Sequence, residues 1–140
     1  MENEFVAFIK GSQKTRTKFR LGIVVRRKGS LENYYAYREE TKVADGTSPR
    51  EEYRAIALAV KSVPYGSHLV IYTNNITAVR VFNGEWKAKK HKDILEDFHN
   101  SCFNREVEVR HPNVDATNPL VALGMEEAEK YCYNKILQSV

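Results

Sequence analysis

The chain has 140 residues, 42% hydrophobic and 29% charged, a composition near the globular average and a length sufficient to bury one core without disulfide or metal staples. Its longest apolar runs, such as Ile23-Val24-Val25 and Leu69-Val70-Ile71-Tyr72, fall far short of the roughly 20 residues that a membrane span needs. The opening Met-Glu-Asn-Glu has neither the basic nor the apolar segment of a secretory leader, so the expectation is one folded domain over 1–140 in a cytoplasmic setting, with no membrane partner.

The net charge of +4 is unevenly spread. Residues 1–30 carry Lys10, Lys14, Arg16, Lys18, Arg20, Arg26, Arg27 and Lys28 against Glu2 and Glu4, a local balance of +6 in a chain whose remainder is slightly acidic. A second cluster, Lys87, Lys89, Lys90 and Lys92, surrounds Trp86. Segregated cations beside an aromatic suit a polyanion, although solvated strand and loop faces give the same pattern. Cys102 and Cys132 stand apart with no Cys-x-x-Cys spacing, so they are expected to be buried apolar thiols rather than metal ligands or a disulfide.

In chain order, Phe5 to Ile9 is a run of β-formers that Lys10-Gly11-Ser12 is expected to end as a turn. Phe19 to Val25 and Tyr34 to Tyr37 follow as strands joined by Lys28-Gly29-Ser30, completing a meander. Asp45-Gly46-Thr47 closes it, and Ser48-Pro49-Arg50-Glu51 supplies an N-cap, a Pro at the first helical position and a Glu at the third. Tyr53, Ile56, Ala57 and Val60 then recur at helical spacing, and Pro64-Tyr65-Gly66 stops that helix. His68 to Tyr72 reads as a buried strand ending in Thr73-Asn74-Asn75. Helices are expected over about Ile76 to Phe82 and Lys92 to Phe103, a strand over Glu106 to Arg110, and a loop from Pro112 to Asn118. Pro119 opens a last helix expected to pack through Leu120, Leu123, Ala128, Tyr131 and Ile136. The order is β-β-β-α-β-α-α-β-α, an α/β (α+β) arrangement.

Four local motifs, in that order, resemble the ribonuclease H-like superfamily. Phe8-Ile9-Lys10-Gly11-Ser12 matches the Phe-x-Asp-Gly-Ser end of the family's first strand except for the acid. Glu52 in the first helix matches its Glu, Thr73-Asn74-Asn75 stands where the family has Thr-Asp-Ser, and Asn118 is followed four residues on by Ala122 where an Asp belongs. The resemblance spans nearly the whole chain and implies a five-stranded mixed sheet flanked by helices.

It also implies a chemistry that these residues do not support. Hydrolysis in the family uses two divalent ions about 3.5–4 Å apart, and hard cations are held by carboxylate oxygens. At the four matching positions Lys10, Glu52, Asn74 and Ala122, only Glu52 keeps a carboxylate; Lys10 repels an ion and can pair with Glu52. No catalytic residue, metal or cofactor is therefore expected. Asp115, on the loop before the last helix, and Asp45, before the first, are the acids that can stand in, and more often such loop acids cap or solvate. His111 lies one position from any gapless match to a family histidine; His68, His91 and His99 read as structural or surface residues.

Binding does not require those acids. The family's basic protrusion is here shortened to Glu85-Trp86-Lys87-Ala88-Lys89-Lys90, whose lysines can neutralise phosphates while Trp86 stacks on a base, unless Trp86 belongs to the core. Lys10, Lys14 and Arg16 add charge near the first strand, and Asn74 and Asn75 can hydrogen-bond sugar hydroxyls, favouring RNA or RNA/DNA hybrid over duplex DNA. Three functions compete: an inactive domain that binds nucleic acid through a basic face, a protein-interaction scaffold, and a nuclease rebuilt around Glu52, Asp115 and Asp45. The oligomeric state has no signature in the sequence.

Overall fold

A computed structural model of the chain describes residues 3–43, 48–87 and 90–133, with the Ser48 and Pro49 side chains and the loop residues Asp45 and Lys89 outside that set. Strands β1 (Glu4–Thr15), β2 (Lys18–Arg27) and β3 (Asn33–Lys42) form an antiparallel meander. Helix α1 (Ser48–Lys61) crosses over to β4 (His68–Thr73), which lies parallel to β1. Helices α2 (Ile76–Phe82) and α3 (Lys92–Ser101) lead to β5 (Glu106–Arg110), parallel to β4, and a short 3₁₀ turn (Pro112–Asp115) precedes α4 (Pro119–Cys132). The sheet order is β3-β2-β1-β4-β5. A parallel neighbour cannot be reached by a hairpin, so the helices are placed on the sheet faces by the connections themselves.

Strand alternation divides the core between the two faces. Phe5, Ala7 and Ile9 point to one side and join Tyr53, Ile56, Ala57 and Val60 of α1, the expected apolar stripe, in the larger cluster. Phe8, Val24 and Tyr72 point to the other and pack with Val121 and Ala128 of α4. No described helix is long and apolar enough to cross a membrane.

Three expectations are corrected here. Lys10-Gly11-Ser12 does not turn: the strand continues, pairing these residues with Gly22, Leu21 and Arg20. Helix α4 is not seated through Leu123, which is exposed; its inward residues are Val121, Gly124, Ala128 and Cys132. Glycine decides this. A Cβ on Gly124 would run into the Phe8 ring, and one on Gly22 would lie 2.6 Å from the Cys132 amide nitrogen, so the helix backbone rests on a side chain at one point and on the strand backbone at the other. Cys132 is buried as expected, whereas Cys102 is half-buried. Ile136 lies outside the described residues.

Candidate nucleic-acid interface

The last parallel pair between β1 and β4 is Ile9 with Thr73, so Lys10 and Asn74 are the next residues on neighbouring strands. Helix α1 brings Glu52 onto the adjacent position: a Cβ on Gly11 would lie 2.8 Å from Glu52 Oε1, and only the missing side chain lets the carboxylate rest on the strand. Asn75 completes the group. Its amide Nδ2 donates to Glu52 Oε2 at 2.5 Å, while its Oδ1 accepts from the Ala78 backbone N–H at 3.0 Å and caps α2. Three of the four matching positions are thus assembled at one end of the parallel strands, with Asn75 as an additional member. Ala122, the fourth, is an exposed residue of the first turns of α4, next to Val121, which packs with Phe8 and Tyr72.

Burial pushes the Glu52 carboxyl above its ordinary value, and the Asn75 hydrogen bond and the Lys10 charge pull it back only in part. The pairing of Lys10 with Glu52 is not formed as an ion pair: Asn75 holds the carboxylate, and Lys10 acts on it through space. A lone, partly desolvated carboxylate beside an ammonium, with amides for the remaining donors, does not fit a pair of hard divalent cations. The stand-in acids do not repair this. Asp115 lies with Tyr72 on the α4 side, where its Oδ2 accepts from the Tyr72 hydroxyl at 2.5 Å and from Arg110 Nη1 at 3.0 Å. Burial first, and then this carboxylate, push the Tyr72 hydroxyl up to about 12. Among the described residues no three His, Cys, Asp or Glu side chains gather as ligands, and Asp45 lies outside that set.

Part of the segregated positive charge, including Lys10, Arg20 and Arg26, maps onto the α4 side of the meander, whereas Arg27 lies over the Phe5 ring on the other. Lys10 pairs across the sheet with Gly22 and Gly22 with Arg38; one row further, Ser12 pairs with Arg20 and Arg20 with Glu40. The Lys10, Arg20 and Arg38 charges all reach the Cys132 thiol, yet burial dominates and lifts it to about 11. One carboxylate serves much of this cluster: Glu40 Oε1 accepts from Lys14 Nζ at 3.0 Å and Arg38 Nη2 at 3.2 Å, which holds its carboxyl below the usual range. Among the described residues the buried Nε atoms of Arg20 and Arg38 have no acceptor. Arg16 is exposed at the β1–β2 turn. Arg20 is counted in the N-terminal charge and Arg38 is not singled out by the sequence; the alternation of β2 and β3 against a paired Gly22 is the signal that places them beside Lys10.

Trp86 is not a core residue. It is 50% exposed, and the Arg80 guanidinium lies over its ring at 5.1 Å. Lys87 and Lys90 are exposed beside it. The end of that loop is pinned: Arg50 makes a two-pronged bond to Asp93, Nη1 to Oδ1 at 3.1 Å and Nη2 to Oδ2 at 2.8 Å, and His91 opens α3 with a left-handed φ of 61°. The expected sites therefore fall in two groups, one at the strand ends and meander and one on the α2–α3 loop. Asn75 is taken up in capping α2 and holding Glu52, whereas Asn74 is exposed.

No family profile matches the chain, and no curated protein is significantly similar to it in sequence. Its structure is similar to that of ribonuclease H1 from the halophilic archaeon Halobacterium salinarum, with a TM-score of 0.70 at 12% identity over 98% of this chain and 99% of that one. The N-terminal ribonuclease H domain of Rv2228c from Mycobacterium tuberculosis gives 0.64 at 13% identity, covering 76% of this chain and 84% of that one. LC11 ribonuclease H1, solved in complex with an RNA/DNA hybrid, gives 0.58 at 14% identity over 76% and 83%.

Proposed function

We propose that this chain, which has the ribonuclease H-like fold, binds nucleic acid through Lys10, Lys14 and Arg16 of its meander and through the Trp86 loop, without two-metal hydrolysis. One observation carries the reading: Lys10 stands at the strand end beside Glu52 and Asn74, so the place where the fold gathers carboxylates presents an ammonium and amides. An ammonium there attracts a phosphate where carboxylates would repel it unless metal ions intervened. The hybrid-bound ribonuclease H1 of the same fold supports the class of ligand. The exposed Asn74 amide and the half-exposed Trp86 supply a sugar donor and a stacking face, which favours RNA or hybrid over duplex DNA.

Fluorescence anisotropy against RNA/DNA hybrid, double-stranded RNA, duplex DNA and single strands, repeated across salt concentrations, tests this. The binding constant is expected to fall with salt, each phosphate contact contributing about 0.7–0.9 to the logarithmic slope. Lys87→Ala, Lys89→Ala and Lys90→Ala together flatten that slope by roughly two units if two of them touch phosphate. Lys10→Ala weakens binding further, because it leaves Glu52 facing the backbone. A flat salt response, or binding unchanged by all four substitutions, contradicts the reading and favours a protein-interaction scaffold. Cleavage of hybrid in Mg²⁺ or Mn²⁺ that Glu52→Gln abolishes contradicts it in favour of a rebuilt nuclease.

A further inference from the structure

A cavity of about 330 Å³ opens on the α4 side of the sheet, between the N-terminal part of α4, the β5–α4 connection and the starts of β1 and β4. The Lys10 and Glu52 group occupies the opposite end of β1: the cavity is reached from Glu4, Val6 and Phe8, and Glu52 rests on Gly11 from the α1 side. Its volume lies in the range of small-ligand pockets, about 300–1,000 Å³.

The floor is apolar. Val6, Phe8, Val70, Tyr72, Leu120 and Val121 line it, with the Phe8 and Tyr72 rings stacked at 5.7 Å and 10°. Above this floor stand three cationic side chains, Arg26, Lys28 and Arg110, against two carboxylates, Glu4 and Asp115, while the Arg27 guanidinium turns to the Phe5 and Tyr34 rings. The carboxylates are already engaged. Asp115 is shared by Tyr72 and Arg110, and Glu4 lies 3.9 Å from Lys28 and 4.0 Å from His68. Arg26 is the most buried of these cations. Its side chain is only 7% exposed, its Nε donates to the neutral Asn33 Oδ1 at 3.0 Å, and its one carboxylate contact, Glu127, is at 3.5 Å. A buried guanidinium whose single carboxylate partner stands at the outer limit of a hydrogen bond is further stabilised by an anion that enters beside it.

We infer that this cavity binds a small ring-bearing anion, a planar body on the apolar floor with a phosphate or carboxylate against Arg26. The ring accounts for the floor and the anion for the cations; neither alone uses both. Nucleotides and aromatic acids share this chemistry, and the test separates them. This site stands apart from the proposed nucleic-acid surface, and its success or failure leaves that reading unaffected.

The experiment follows backbone amide shifts by NMR while the protein is titrated with adenosine monophosphate, indole acetate, adenosine and inorganic phosphate. The amides of Val6, Val70 and Val121 are expected to move with both ring-bearing anions, and the tighter of the two identifies the source. Adenosine and phosphate should bind about tenfold or more weakly, because each lacks one half of the recognition. Arg26→Met should weaken the ring-bearing anions about tenfold. Leu120→Trp, which fills the cavity from the first turn of α4 and leaves Arg26 in place, should do the same and serves where the arginine variant does not fold. Shifts confined to Lys10 and Lys14, phosphate binding as tightly as the ring-bearing anions, or affinity unchanged in both variants would overturn the assignment, as would the lack of any shift at millimolar ligand.

Discussion

The sheet face under α1 is built from Phe5, Ala7, Ile9, Leu21, Ile23 and Leu69, each at most 2% exposed, whereas the face under α4 alternates Phe8, Val24 and Tyr72 with Lys10, Arg20 and Arg26. Both faces come from the same strands, read at odd and even positions. The first is a dry core at whose edge Glu52 is held by Asn75 over Gly11. The second is a thin apolar strip under α4 with cations at both ends. A fold can therefore keep its stability on one face while the other changes its charge, because few contacts of the first depend on the second.

That division has consequences of decreasing size. Ile56→Ala, in the core under α1 and fully buried, should cost about 2–5 kcal/mol, measured by denaturant unfolding. On the other face Gly22→Ala should cost about 1–3 kcal/mol, since its Cβ meets the backbone of α4, and the helix must shift to admit it. Equal costs at the two sites would mean that the faces are not energetically unequal in this way.

Glu52→Gln gives a smaller, pH-dependent effect. Burial raises the Glu52 value, so the folded chain holds that proton more tightly than the unfolded chain. Wild-type stability from this residue is intact below the ordinary glutamate range and falls as pH rises through the elevated value. Gln keeps an acceptor for Asn75 and removes the buried charge, so the variant should gain over wild type on moving from acid to neutral pH. Unfolding curves for both proteins across that range give the difference; a variant that loses ground at neutral pH would contradict it. Smallest is Lys61→Ala. Its exposed pair with Asp97, at 2.7 Å between α1 and α3, should contribute at most about 1 kcal/mol.

The element order, the α1 stripe and the convergence of Lys10, Glu52 and Asn74 were legible because each follows from a local pattern: alternation, helical spacing, or a strand end. What was not legible depended on two segments at once. Lys10-Gly11-Ser12 has turn composition, but Gly11 is there to admit Glu52 from another element. Apolar spacing nominated Leu123 in α4, whereas the helix is seated where it has no side chain, at Gly124 over Phe8. Trp86 looked like core by residue type, yet it lies half-exposed under Arg80 on a loop whose end is pinned by Arg50 and Asp93. Arg38 became visible only once register paired it with Gly22 across from Lys10, and the cavity near Arg26 required the path of α4.

The proposed function rests on Lys10, Glu52, Asn74 and Ala122 forming one site in which an ammonium, an amide and a methyl group stand in place of three acids. Restoring the acids with Lys10→Asp, Asn74→Asp and Ala122→Asp together, and titrating wild type and variant with Mg²⁺ and Mn²⁺ by calorimetry, tests it. The variant is expected to bind divalent cations more tightly than wild type, since carboxylates from β1, β4 and α4 would then surround Glu52. A variant that folds and shows no gain in cation affinity would contradict the convergence of the four positions.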